Sequence, residues 1–219
     1  MLFLILQHDF KDEGAMNSWS LPLSGKIILL DPGHGGMDPG AVVSGVVEKE
    51  IALKVSFKLR DYLQQQGALV IMTRESDTDL ADEDLKRIRA RKVQDLKRRV
   101  EMINTSESDF FVSVHLNAIP SPKWSGAQTF YSGHYEESKR AAKLIQKELR
   151  AGLQNTDRAE KVSKDIYLLK HAKKPGVLVE IGFLTNSRER GDLQNDEYQE
   201  KVAASIYQGI LKYAISEKK

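Results

Sequence analysis

Short apolar runs alternate with longer amphipathic stretches along most of the chain. The short runs are rich in β-branched and aromatic residues, which is typical of buried strands. They cover residues 26–30, 68–72, 110–115, 127–131, 167–169 and 177–180. The longer stretches carry apolar residues at helical spacing among charged ones, and they predict helices at residues 48–66, 81–104, 136–153 and 196–215.

This alternation predicts an α/β fold. We expect a single domain with a twisted, mostly parallel central sheet of about six strands and helices on both faces. A chain of 219 residues, 41% of them hydrophobic, suits one such domain. Ligand sites in open parallel sheets lie beyond the carboxyl ends of the strands. The sequence therefore predicts where a site would form.

The two parts of the chain differ in character. We predict a catalytic domain at residues 25–219 and an N-terminal tether at residues 1–24. The apolar run at residues 1–6 is too short for a signal-peptide core or a membrane span. It is consistent with the remnant of an export or anchor segment, and equally with a disordered end.

Composition narrows the chemistry. The charges of the 33 basic and 31 acidic residues nearly cancel, so no strong electrostatic field favours binding to nucleic acid or to an anionic membrane. We therefore expect no nucleic-acid partner. The basic cluster at residues 86–99 is interrupted by Asp95, which favours a solvated helix face. The chain has no cysteine, so any metal must be held by His, Asp or Glu.

Four side chains can converge at the carboxyl edge of the predicted sheet. His34 follows the first strand inside a glycine-rich loop, and His115 ends another strand. Glu48 begins the first helix, so the loop can fold it back toward His34. Glu180 closes a buried strand, where a charge is costly unless it is paired, bound or exposed. A single strand-end histidine is usually structural, and a strand-end glutamate can simply face solvent, so the case depends on their convergence.

Two histidines and one glutamate form a known catalytic zinc set, and a second glutamate is then available as a base. The predicted cofactor is one zinc ion per chain. The same set also suits a zinc peptidase or a deacetylase, and a third hypothesis is a non-catalytic binding or regulatory domain that has kept the fold. Retention of Glu180 argues against the third, because binding alone needs no base.

Four blocks of sequence resemble one family. In chain order they are Leu30-Asp-Pro-Gly-His-Gly-Gly-Met-Asp-Pro-Gly-Ala41, Glu48-Lys49, Ser113-Val-His-Leu-Asn-Ala118 and Val179-Glu-Ile-Gly-Phe-Leu-Thr-Asn186. Together they resemble the amidase-3 type of N-acetylmuramoyl-L-alanine amidase, over residues 25 to the C-terminus. The resemblance implies that His34, Glu48 and His115 bind zinc and that Glu180 is the catalytic acid/base.

Further blocks, at residues 19–26, 66–79 and 117–131, are similar to the germination-specific amidases of endospore-forming bacteria. This resemblance implies that the substrate is peptidoglycan of the spore cortex. The enzyme would cut the amide between N-acetylmuramic acid and L-alanine, the first step toward muramic-δ-lactam. It also implies an exported protein acting in the cell wall or the forespore intermembrane space, with an N-terminal membrane association as one option. No protein partner can be named from the sequence.

Two further residues are candidates for contact with substrate. Asn117 lies in the block that contains His115, and Trp124 lies in the following Pro/Ser-rich loop, although a loop tryptophan can equally pack on its own domain. Glu50 is expected to face solvent. His8, His134 and His171 are expected to be surface residues.

Overall fold

Eight strands and six helices follow one another in the computed structural model, which describes residues 21–216. In chain order they are β1 (Ile27–Pro32), β2 (Val42–Val43), β3 (Val46–Val47), α1 (Glu48–Gln65), β4 (Leu69–Met72), α2 (Ile88–Thr105), β5 (Phe110–Asn117), β6 (Gln128–Tyr131), α3 (Glu136–Leu153), β7 (Lys161–Val162), α4 (Tyr167–His171), β8 (Gly176–Phe183), α5 (Ser187–Gln194) and α6 (Asp196–Ser216).

The main sheet has six strands in the order β4-β1-β5-β8-β6-β7. The first four are mutually parallel, β6 runs antiparallel to β8, and β7 runs parallel to β6. The strands β2 and β3 form a separate small hairpin before α1. Because β1, β5 and β8 are parallel and adjacent, their carboxyl ends meet at one edge. The predicted fold class is confirmed.

Side chains on alternate positions of the strands build two apolar layers, one on each face of the sheet. On one face, Leu30, Val112 and Val179 pack with α1, α3 and α6. On the other face, Leu29 and Phe111 pack with residues of α2 and α4. This period-two alternation between two covered faces explains why the central strands are apolar throughout.

One predicted strand is wrong. Residues 167–169 belong to helix α4, with Leu168 and Leu169 both buried against the α2 side of the sheet. A run of three apolar residues is too short for its periodicity to distinguish a strand from a buried helical turn. The sixth strand of the sheet is instead β7, a two-residue edge strand whose residues are exposed and therefore gave no apolar signal.

Two helices also differ from expectation. α2 begins at Ile88 rather than at residue 81, because the preceding segment is an irregular loop that Arg91 holds through the carbonyls of Asp82 and Leu85. α5 was not predicted. It is short and polar, and it is capped by Asn186, whose side chain accepts hydrogen bonds from the first turn.

The N-terminal tether predicted at residues 1–24 lies mostly outside the described part of the chain. The apolar run at residues 1–6 and His8 lie outside the described residues, and the boundary between residues 1–24 and 25–219 stays a prediction. Within residues 21–216, no helix combines the length and the apolar character that crossing a membrane requires.

Candidate active site

The loop after β1 turns sharply toward the neighbouring strand β5. His34 has a φ of 60°, in the left-handed region that a non-glycine residue rarely occupies. Gly33 lies directly beside the ring of His115, and a Cβ atom at this position would overlap that ring. The loop can bring the two histidines together only because residue 33 has no side chain.

Three side chains converge at this point: His34, Glu48 and His115. One ligand atom from each lies within 4.8 Å of the other two. Nε2 of His34 is 3.2 Å from Oε1 of Glu48, and Nδ1 of His115 is 3.1 Å from the same oxygen. The imidazole rings lie edge to face, with centroids 5.0 Å apart. Two imidazole nitrogens and one carboxylate oxygen form a donor set that fits zinc. A divalent cation can replace the protons that hold these three groups together.

Glu48 connects three parts of the fold. It is the first residue of α1, where the helix dipole favours a negative charge. Its Oε2 accepts a hydrogen bond from the backbone N–H of Ala41 at 2.8 Å, and its Oε1 accepts one from the N–H of Leu116 at 2.9 Å. Burial raises the pKa of Glu48, but hydrogen bonds with His115 and His34 outweigh it and hold the pKa well below its usual range. The carboxylate is therefore ionised.

Asp38 orients His34 from the side opposite Glu48. Its Oδ2 lies 2.8 Å from Nδ1 of His34, and it also forms an ion pair with Lys92 at 3.1 Å. Burial lowers the pKa of His34, whereas the hydrogen bonds with Asp38 and Glu48 raise it, to about 9. A carboxylate that accepts the Nδ1 proton leaves Nε2 to face Glu48, the arrangement typical of histidines that bind metals.

Glu180 lies beside His115 on the next strand. The two residues are register partners in the parallel β5–β8 pair, so their side chains leave the same face of the sheet. Oε2 of Glu180 is shielded from solvent and has no hydrogen-bond partner among the described residues. Burial raises the pKa of Glu180, the nearby His115 lowers it and Glu48 raises it, to a net value of about 7. A carboxyl group with this pKa can exchange a proton at neutral pH.

A buried arginine on α2 supports the loop that carries His34. Arg99 donates to Asp31 at 2.7 Å and to Asp95 at 2.8 Å. It also donates to the carbonyls of Pro32 at 2.8 Å and His34 at 2.6 Å. Arg99 is only 1% exposed, so it acts as an internal brace for the loop.

The prediction that residues 86–99 form a solvated helix face is therefore wrong for two of its members. Asp95 and Arg99 are both buried. Because they are one turn apart, they share the face of α2 that packs on the sheet.

Arg74 forms a second brace, between the loop and α1. This buried guanidinium donates to the carbonyls of Pro32 at 3.0 Å, Gly33 at 2.9 Å and Lys49 at 2.8 Å. Lys49 follows Glu48 in the first turn of α1. Arg74 thus fixes the loop of one candidate ligand against the helix of another.

Asp31 is the common acceptor beneath the site. Its oxygens accept hydrogen bonds from Thr73 at 2.7 Å, Ser113 at 2.6 Å and Arg99. Burial raises the pKa of Asp31, but Arg99 and these hydroxyls keep it below its usual range. We refer to Asp31, Thr73, Arg74, Asp95, Arg99 and Ser113 as the support network.

The other residues singled out in the sequence occupy different places. Asn117 ends β5 two residues beyond His115 and is partly buried, and Trp124 is 50% exposed in the following loop. Contact of either with substrate stays a prediction. Glu50, His134 and His171 are exposed, as expected.

Asp38 and both buried arginines were missed by sequence reasoning. Asp38 had a signal, since it lies four residues after His34 in the same glycine-rich block. Arg74 directly follows the residue after β4 at the carboxyl edge, which is also a place where functional side chains are expected.

Comparison with known proteins agrees with this geometry. The amidase-3 family, described as N-acetylmuramoyl-L-alanine amidase, matches residues 28–212. The germination-specific N-acetylmuramoyl-L-alanine amidase of Bacillus subtilis (strain 168) is 55% identical over 213 residues, which cover 97% of this chain and 90% of that protein.

Two solved structures are similar in fold and sequence. One is the CwlD amidase from Clostridioides difficile in complex with the GerS lipoprotein, with a TM-score of 0.85 and 45% identity, covering 87% of this chain and 99% of that one. The other is an N-acetylmuramoyl-L-alanine amidase from Clostridium difficile 630, with a TM-score of 0.77 and 31% identity, covering 88% and 98% of the respective chains. The resemblance noted in the sequence is confirmed.

Proposed function

Because this chain belongs to the amidase-3 family of N-acetylmuramoyl-L-alanine amidases, we propose that it is a zinc-dependent enzyme that hydrolyses the amide between N-acetylmuramic acid and L-alanine in peptidoglycan. The observation that carries this proposal is the convergence of His34, Glu48 and His115 on one point, with Glu180 on the adjacent strand.

His34, Glu48 and His115 would hold a single zinc ion. Zinc in such a site polarises the scissile carbonyl and makes water a better nucleophile at neutral pH. Asp38 keeps the proton of His34 on Nδ1, which leaves Nε2 available as a donor to the metal. The support network holds the backbone of the His34 loop in place, so the ligands need little rearrangement.

Glu180 is the proposed acid/base. With a pKa of about 7 it can accept a proton from the attacking water and later deliver it to the nitrogen of L-alanine. The carbonyl carbon gains the oxygen of water as its bond to nitrogen breaks. The products are a lactyl carboxylate on the glycan and a free peptide that begins with L-alanine.

The proposed substrate is peptidoglycan of the spore cortex, and the proposed role is the first step toward muramic-δ-lactam. The name of the Bacillus subtilis relative, germination-specific amidase, supports this. We further propose action outside the cytoplasm, in the cell wall or the forespore intermembrane space, with residues 1–24 as an N-terminal tether. The similar CwlD amidase was solved with a lipoprotein, which extends the proposal to a protein partner of this chain.

Incubation of the protein with purified peptidoglycan, followed by mass spectrometry, tests the function. We expect free stem peptides beginning with L-alanine, loss of this release with a chelator, and recovery on adding zinc. Release that is unchanged by the chelator would contradict the metal dependence. Cuts between amino acids, or loss of acetyl groups, would identify a peptidase or a deacetylase instead, and binding without any cleavage would identify a wall-binding domain.

A further inference from the structure

A row of side chains crosses the sheet at the level of the candidate active site. His115 on β5 is the register partner of Glu180 on β8, and Glu180 is the register partner of Gln128 on β6. Directly paired residues on neighbouring strands project from the same face. Gln128 is therefore the next position beyond the proposed acid/base.

Arg158 continues this row. Its Nη1 donates to Oε1 of Gln128 at 3.3 Å, and its Nε donates to the carbonyl of Ser125 at 2.8 Å. The carbon of its guanidinium lies 4.9 Å from the ring centre of Phe183 and 5.4 Å from that of Trp124. Phe183 ends β8, so these contacts place Arg158 at the carboxyl edge of the sheet, where the site lies.

The guanidinium of Arg158 is held in place but forms no ion pair within residues 21–216; the buried carboxylate of Glu189 interacts with it electrostatically without contacting it. Nη2 of Arg158 has no hydrogen-bond acceptor among residues 21–216, and no carboxylate in this part of the chain forms an ion pair with it. By contrast, Arg91 and Arg99 are paired with carboxylates. Because four contacts already fix Arg158, binding an anion would cost little side-chain entropy.

The spacing fits a group on the stem peptide. Adjacent strands are roughly 4.8 Å apart, so a group beyond Gln128 lies on the order of 10 Å from Glu180. An extended peptide advances about 3.4 Å per residue, which brings a carboxylate on the first residue after L-alanine into this region when the scissile amide faces Glu180.

We propose that Arg158 is a specificity-determining residue that binds a carboxylate on the residue following L-alanine of the stem peptide. The half-exposed ring of Trp124 supports the guanidinium from one side. The inference rests on the proposed amidase function and adds the class of substrate that the site prefers, namely stems with an anionic rather than an amidated residue next to L-alanine.

Two peptidoglycan preparations that differ only at that residue, as carboxylate or as carboxamide, provide the test. The zinc-loaded enzyme should show a kcat/KM about tenfold to a hundredfold higher for the carboxylate, the usual size of a charge-assisted hydrogen bond. Arg158→Gln should lower kcat/KM for the carboxylate, mainly through KM, by a clearly larger factor than for the carboxamide, and so remove the preference. Arg158→Lys should keep part of the preference, and Arg150→Gln, on the exposed surface of α3, should keep all of it.

The outcomes separate this inference from the proposed function. If the wild-type enzyme releases stems from both preparations equally well, the amidase function stands and the inference is overturned. The same holds if Arg158→Gln lowers release from both preparations alike, because Arg158 would then only hold the loop at Ser125. If neither preparation is cut at L-alanine, the proposed function fails and the inference falls with it.

Discussion

Two clusters of charged side chains lie side by side in this protein and differ in how completely they are satisfied. In the support network, Asp31 accepts three hydrogen bonds and Arg99 donates to two carboxylates and two carbonyls. In the neighbouring cluster, His34 and His115 share a single oxygen of Glu48, and an oxygen of Glu180 has no partner among the described residues. Buried polar groups are normally paired, so the satisfied cluster indicates a scaffold and the unsatisfied one a place for a ligand and for chemistry.

The largest expected effect is a loss of catalytic activity without a change in the support network. Glu180→Gln keeps the shape of the side chain and removes the base, so release of stem peptides should fall about 10²–10⁴-fold. Zinc content should stay at the wild-type level, because Glu180 is not one of the three proposed ligands. Undiminished release by this variant, measured by mass spectrometry, would contradict its role as acid/base.

The next largest effect is a loss of stability when the support network is disrupted. Arg99→Met removes the cation and leaves Asp31 and Asp95 buried without it, which should cost roughly 3–5 kcal/mol of unfolding free energy. Lys97→Met, two positions earlier and exposed on α2, is the control and should cost less than about 1 kcal/mol. Denaturant unfolding of both variants measures the difference, and equal losses would show that the support network is not a special source of stability.

The pH dependence of the free energy of unfolding tests whether Glu180 is buried without a partner. In metal-free protein its pKa is raised from 4.5 to about 7, so folding favours the protonated form. Below pH 4.5, the pKa of the unfolded state, Glu180 does not lower the free energy of unfolding. Between pH 4.5 and about 7 the burial of Glu180 lowers this free energy progressively, and above that range the loss is complete. Metal-free wild type should therefore lose up to roughly 3 kcal/mol relative to Glu180→Gln between pH 5 and pH 8.

Glu180 interacts electrostatically with His34, Glu48 and His115, so the difference between the two proteins reports the titration of Glu180 together with its coupling to these groups. Urea unfolding of metal-stripped protein at a series of pH values provides the measurement. Parallel stability curves for wild type and variant would mean that Glu180 is not desolvated as described.

A smaller effect is expected on zinc affinity when the contact between Asp38 and His34 is weakened. Asp38→Asn keeps a hydrogen-bonding group beside Nδ1 of His34 but removes its charge, and zinc affinity should fall about 10–100-fold. Competition with a coloured chelator measures this, with Asp61→Asn, an exposed site on α1, as control. An unchanged affinity would show that the contact with His34 has no influence on metal binding.

Much of the fold follows from local periodicity. β1, β5, β8 and the helices α1, α3 and α6 are long enough for their apolar pattern to show which faces are buried. α4 was mistaken for a strand because three residues carry no period, and β7 and α5 were missed because their exposure leaves no apolar signal. The edges of the sheet therefore depend on tertiary context that the pattern does not contain.

The candidate site was predictable in its principal residues for a different reason. Parallel neighbouring strands must bring residues at their carboxyl ends together, which places His34 near His115 and Glu180. The start of the first helix supplied Glu48, and the family resemblance supplied the role of each residue. The burial of Arg99 was not predictable from charge pattern. A charged residue on an amphipathic helix appears solvated until its partner, here Asp31 on a distant strand, is known.

Metal analysis of the purified protein tests the central claim most directly. We predict one zinc ion per chain in the wild type and in Glu180→Gln, and a loss of zinc from His34→Ala, Glu48→Ala and His115→Ala. Variants of these three residues that still bind zinc at the wild-type level, or a wild type that takes up none when zinc is supplied, would contradict it.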